Sequence, residues 1–130
     1  MHADVPHAPG SVYLVRRSVV EELHRCAVPE PVVQDAALVV SELVGNAVHH
    51  GQPLPGGGLE VDCRVDRGRV QVTVVEGGTG PLRGPVPVDR DAEGGRGLLI
   101  VEALAGAWGV RPAPGGCAVW VELPLGLARA

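Results

Sequence analysis

Ser41-Glu42-Leu43-Val44-Gly45-Asn46-Ala47-Val48-His49-His50-Gly51 sets a carboxylate and a carboxamide one helical turn apart, inside a run otherwise apolar enough to be buried. Residues at i and i+4 share a helix face, so Glu42 and Asn46 project side by side. An acid beside a neutral oxygen ligand suits a hydrated Mg2+, which takes oxygen ligands, keeps several waters and is completed by substrate phosphates. The plainer alternative is a helix cap, or a solvent-facing pair on a helix less buried than it reads.

The helix that carries this pair is predicted from about Val32 to His50, after a break at Pro29-Glu30-Pro31 and with Gly51 as its C′ residue. Asp35, Glu42, Asn46 and His49 recur at +7, +4 and +3 and form one narrow polar stripe along it. Upstream, Val12, Val15, Val19, Leu23 and Cys26 repeat at helical spacing, which predicts an amphipathic helix capped by Ser11. Arg16 and Arg17 fall off that stripe and read as solvated, with a dimer or partner surface as the alternative. Residues 1–10 read as a flexible or strand-forming N-terminus.

Downstream, a Gly- and Pro-rich loop from Gln52 to Gly58 leads into alternation of period two, the mark of a half-buried strand. Leu59, Val61, Cys63 and Val65 alternate with polar residues. After the turn Asp66-Arg67-Gly68-Arg69, Val70, Val72 and Val74 do the same, which predicts an antiparallel hairpin. From Gly77 to Gly97 no apolar period survives, which predicts a long loop of the kind that is usually functional. Leu98 to Ala105 reads as a short buried helix closed by Gly106, and Trp108–Val110 with Cys117–Leu123 as a second hairpin. The order of elements predicts an α/β (α+β) two-layer sandwich, a mostly antiparallel mixed sheet with helices on one face.

Composition narrows the function classes. The chain has 130 residues, 45% of them hydrophobic, which is enough for one compact domain and too little for two. Its net charge is -4 and it has no basic run, so direct nucleic-acid binding is not expected. No apolar stretch reaches the roughly 20 residues of a spanning helix, and the N-terminus lacks a signal-peptide pattern, so the expected location is the cytoplasm, off the membrane. Cys26, Cys63 and Cys117 are widely spaced without a CxxC and read as buried small apolar residues. All 11 basic residues are Arg, which excludes the Lys-bearing phosphate loop and any Schiff-base chemistry. Adjacent His49 and His50 point about 100° apart on a helix and make a poor joint metal site. Trp108 and Trp120 read as core or interface anchors.

Three weak signals gain specificity together. The first is Glu42 with Asn46. The second is Glu76-Gly77-Gly78-Thr79-Gly80 at a strand end, where an acid can accept a hydrogen bond from an exocyclic amine such as adenine's and the glycines allow close approach. The third is Gly94-Gly95-Arg96-Gly97 directly before the Leu98 helix, where free backbone N–H groups make an anion site without Lys.

In order and spacing, and in the phrases SELVGNAVHHG, GRGLLIVEALAGAWGV and GGCAVWVELP, the chain resembles the GHKL (Bergerat-fold) ATP-binding domain and its small bacterial anti-sigma-factor serine kinases, from about Ser11 to Pro124. The resemblance implies a histidine-kinase-type ATPase fold, ATP and Mg2+ as cofactors, and a regulator that phosphorylates a serine of an anti-anti-sigma (STAS-type) partner and sequesters a sigma factor, with a homodimer as an open alternative. It implies Glu42 as general base, Asn46 as Mg2+ ligand and Glu76 as the adenine-reading acid. His50, Gly78, Gly80, Gly95, Arg96, Gly97 and Leu98 complete the implied nucleotide contacts.

The sequence departs from that pattern where Glu76 replaces the usual Asp, and at Cys117-Ala118, where these proteins often carry Lys-Thr. Glu76 and the loss of a hydroxyl at Ala118 favour a rival reading, a non-catalytic interaction module of the same fold. A sensor-kinase reading would need a phosphoacceptor helix hairpin, for which 130 residues leave no room.

Overall fold

A computed structural model describes residues 1–78 and 100–126. The elements follow as β1 (His2–Val5), α1 (Gly10–Arg25), α2 (Glu30–His50), β2 (Leu59–Asp66), β3 (Arg69–Gly77), β4 (Ala107–Ala113) and β5 (Gly116–Pro124). The strands form one open sheet in the order β1-β2-β3-β5-β4. Each of its four pairings is antiparallel, so no parallel pair of a mixed sheet occurs among the described residues.

The period-two alternation aims one side of each strand at the helices. Leu59, Val61 and Cys63 of β2, Val70, Val72 and Val74 of β3, and Val119, Val121 and Leu123 of β5 are all buried. α2 lies on β3 and β5, and α1 packs along α2 while touching β1 and β2. Clasped between sheet and α1, α2 buries Val33, Ala36, Val40, Val44 and Ala47 among others, which explains a helix apolar nearly all round. The half-buried stripe of Asp35, Glu42 and Asn46 is what this clasp leaves over.

Several boundaries differ from the sequence reading for local reasons. Ser11 is not a cap: α1 begins at Gly10 with Pro9 in the N-cap position, and the buried Ser11 hydroxyl donates back to the Pro6 carbonyl. α2 starts at Glu30 because Pro31, lacking an N–H, costs nothing in a first turn. Gly51 ends α2 with φ -96° and ψ -171°, an extended backbone in place of the left-handed C′ conformation. The N-terminal residues do form a strand, an edge strand on β2, anchored by the α-amino group donating to the Cys63 carbonyl at 2.6 Å. The first hairpin closes through Arg67 (φ 51°) and Gly68 (φ 78°), the left-handed pair that a two-residue turn requires. The second pairs along Ala107–Ala113, longer than its apolar core suggested. Residues 100–104 are helical, in line with the expected helix; its first two residues, Leu98 and Leu99, lie outside the described part.

Cys63 and Cys117 are buried and Cys26 is half-buried, all as free thiols. Arg16 and Arg17 are exposed, and Trp108 packs at the edge of the core. Among the described residues no helix is long and apolar enough to cross a membrane.

Candidate functional site

Because α2 runs unbroken to His50, Glu42, Asn46 and His50 stand at i, i+4 and i+8 along one face. Glu42 and Asn46 are half-buried, and His50 is exposed on the last helical residue. The neighbouring Ser41 hydroxyl is used within the helix, donating to the Ala37 carbonyl at 2.7 Å. The pair is therefore a carboxylate and an amide oxygen facing partly open space, which can take a proton and hold a hard cation respectively.

Glu76 sits at the end of β3, next in the core-facing series after Val70, Val72 and Val74. It is only 6% exposed, and its Oε2 is the one buried side-chain polar atom without a partner among the described residues. Burial pushes its carboxyl above the ordinary glutamate range, and the nearby His7 works in the opposite direction. A buried acceptor without a donor is costly unless a ligand brings one. An exocyclic amine such as adenine's would do so, so this lone acceptor is compatible with a purine base.

Two glycines shape the ground around this acid. A Cβ on Gly51 would collide with Glu76 Oε2 and lie 2.8 Å from the Ala47 carbonyl oxygen, so glycine is required there for space and not for backbone conformation. Gly78 has φ +68°, the left-handed region that glycine enters freely, and carries the chain out of β3 beside the Gln52 side chain. The Gly77 N–H donates to the Gln52 carbonyl at 2.8 Å, fastening the segment after α2 to the end of β3. The C-terminal turn of α2 and the end of β3 thereby form one corner.

His7 is a residue the sequence reading missed. It comes from the connection between β1 and α1, and its Nε2 donates to the Ala47 carbonyl at 2.9 Å. Nothing in the local sequence marks it, since its place depends on a contact 40 residues away.

The register corrects one expectation. Ala118 pairs with Val75 and Arg111, on the sheet side turned away from Glu76. Cys117 is the residue directly opposite Glu76, so the relevant substitution is a thiol beside the acid and not a lost hydroxyl at 118. Gly77, expected to open the loop, is instead the last residue of β3, and Gly80, Gly95, Arg96, Gly97 and Leu98, with the rest of that expected loop beyond Gly78, lie outside the described residues. His2, Asp4 and Glu60 do converge elsewhere, on the exposed side of the β1–β2 edge, where His2 is bonded to Asp62 and Asp4 at 3.1 Å each.

Comparison with known proteins gives an independent reading. A family model described as the histidine kinase-like ATPase domain matches residues 5–123. The serine-protein kinase RsbW of Oceanobacillus iheyensis is 26% identical over 112 residues, covering 77% of this chain and 71% of that protein. The crystal structure of the RsbU and RsbW domains of Rv1364c from Mycobacterium tuberculosis superposes with a TM-score of 0.72 at 22% identity. That superposition covers 95% of this chain and 32% of the other, so this chain spans about a third of its length, and the likeness is one of fold.

Proposed function

The chain belongs to the histidine kinase-like ATPase domain family, and on that footing we propose that it is an ATP-binding anti-sigma regulatory factor. In this reading it is a single cytoplasmic domain that phosphorylates a serine of an anti-anti-sigma partner and sequesters a sigma factor. The observation that carries nucleotide binding is Glu76 Oε2, buried and without a donor, at a strand end fastened to the last turn of α2. The similarity to a serine-protein kinase supports the phosphotransfer.

The residues divide the work as follows. Glu76 accepts the exocyclic amine of adenine, with Gly78 letting the base approach. The Asn46 side-chain oxygen is the ligand for Mg2+, which when bound neutralises phosphate charge. Glu42, one turn earlier, takes the proton of the incoming serine hydroxyl. His50, at the helix end, and the segment with Gly80, Gly95, Arg96, Gly97 and Leu98 contribute the remaining nucleotide contacts.

One observation favours a second reading, the non-catalytic interaction module: Cys117 sets a weak donor where a hydroxyl would serve the acid better. Calorimetric titration with Mg-ATP tests the choice. Saturable binding supports the kinase reading, and no binding at millimolar nucleotide supports the module.

A further inference from the structure

We propose that Gly51 is a specificity-determining position of the nucleotide site, a notch matched to the extra methylene of Glu76. The inference rests on the nucleotide-binding reading above. It starts from a backbone that asks for no glycine: with φ -96° and ψ -171°, residue 51 adopts a conformation open to any residue. What excludes a side chain is space. A Cβ there would collide with the Glu76 carboxyl, and Glu76 in turn owes its burial to that empty volume.

The consequence for recognition follows from length. A glutamate pointing straight out from the end of β3 would carry its carboxyl one carbon further toward a base than an aspartate. Folded back over Gly51, Glu76 takes up that carbon against the last turn of α2 and leaves room for the purine. His7 closes the other side of the same turn through its bond to the Ala47 carbonyl, at 2.9 Å. With a side chain at 51, the carboxyl is expelled from the notch into the volume the base needs.

A double-mutant cycle tests the match, using the full chain as wild type, Gly51→Ala, Glu76→Asp and the double variant. The Cβ added by Gly51→Ala also presses on the Ala47 carbonyl, 2.8 Å away, but that contact is common to both backgrounds and cancels in the cycle. The expected result is that Gly51→Ala weakens Mg-ATP binding by roughly tenfold more in the wild-type background than in the Glu76→Asp background. A parallel cycle on melting temperature without nucleotide should show the same coupling, and the double variant keeps the test alive if Gly51→Ala alone folds poorly. Equal fold-changes in the two backgrounds, with wild type binding ATP, overturn the inference and leave the functional reading standing. Wild type that binds no Mg-ATP overturns the functional reading and the inference with it.

Discussion

Cys117 lies directly across the antiparallel ladder from Glu76, so a buried thiol and a buried carboxyl share the helix-facing side of the sheet. Burial pushes the thiol up to about 11, which keeps it neutral and a weak donor at physiological pH. The acid therefore has a neighbour at cross-strand distance that does little for it.

Exchanging that thiol for a hydroxyl should help. Cys117→Ser gives Glu76 a proper donor at the opposing position and is expected to tighten Mg-ATP binding by a few-fold, about 0.5–1.5 kcal/mol for one hydrogen bond. Calorimetry on the two proteins checks this; unchanged or weaker binding by the serine variant would separate Cys117 from the site.

Glu76 should also be a burden on the empty protein. Its folded carboxyl titrates above the ordinary value, so below the usual glutamate range both folded and unfolded chains hold the proton and no penalty arises. As pH rises through that range the unfolded chain loses its proton first, and the fold loses stability until Glu76 ionises as well. Glu76→Met is therefore expected to be more stable than wild type at pH 7, by about 1–3 kcal/mol, while failing to bind ATP. Denaturation at pH 4 and pH 7 checks the sign: the advantage should shrink in acid, and an advantage that grows there contradicts the account.

Asn46 is half-buried on a helix whose backbone Ala suits well, so Asn46→Ala should leave the melting temperature within about a degree or two while abolishing the Mg2+-dependent part of nucleotide binding. Titration with ATP in the presence of Mg2+ and of excess chelator reads this directly. Retention of the full Mg2+ effect would remove Asn46 from the cation site.

Glu42→Gln keeps size and hydrogen bonding but cannot accept a proton. It should bind ATP as wild type does and transfer phosphate to a serine-bearing anti-anti-sigma partner at a rate lower by about 10²–10⁴-fold. Normal transfer by this variant would mean that another group is the base.

The core that holds these elements in place is testable separately. Leu23 is fully buried between α1 and the rest of the core, and Leu23→Ala should cost about 2–5 kcal/mol in chemical denaturation. A loss under about 1 kcal/mol would mean that α1 packs differently.

How much of this was legible in the sequence depended on how local each signal was. The Glu42–Asn46 turn, the alternation of Val70, Val72 and Val74, and Glu76 at the strand end are short-range patterns, and they survive in the fold. Residues that depend on pairing were less readable. That Cys117 and not Ala118 faces Glu76 follows from the β3–β5 register, which brings together residues far apart in the chain across a long connection. His7 reaches the site only because β1 pairs with β2 and returns the chain to the end of α2. Gly51 looked like a conformational glycine at a helix end, and its empty volume became meaningful only with Glu76 above it.

The central claim is that Glu76 reads adenine, and comparison of ATP with GTP tests it most directly. Guanine presents a carbonyl oxygen where adenine presents its amine, which would face the buried acceptor with a second acceptor. Calorimetric titration in Mg2+ should show saturable ATP binding by wild type, at least roughly tenfold weaker GTP binding, and loss of ATP binding in Glu76→Met. Equal affinity for the two nucleotides, or ATP binding that survives Glu76→Met, would contradict it.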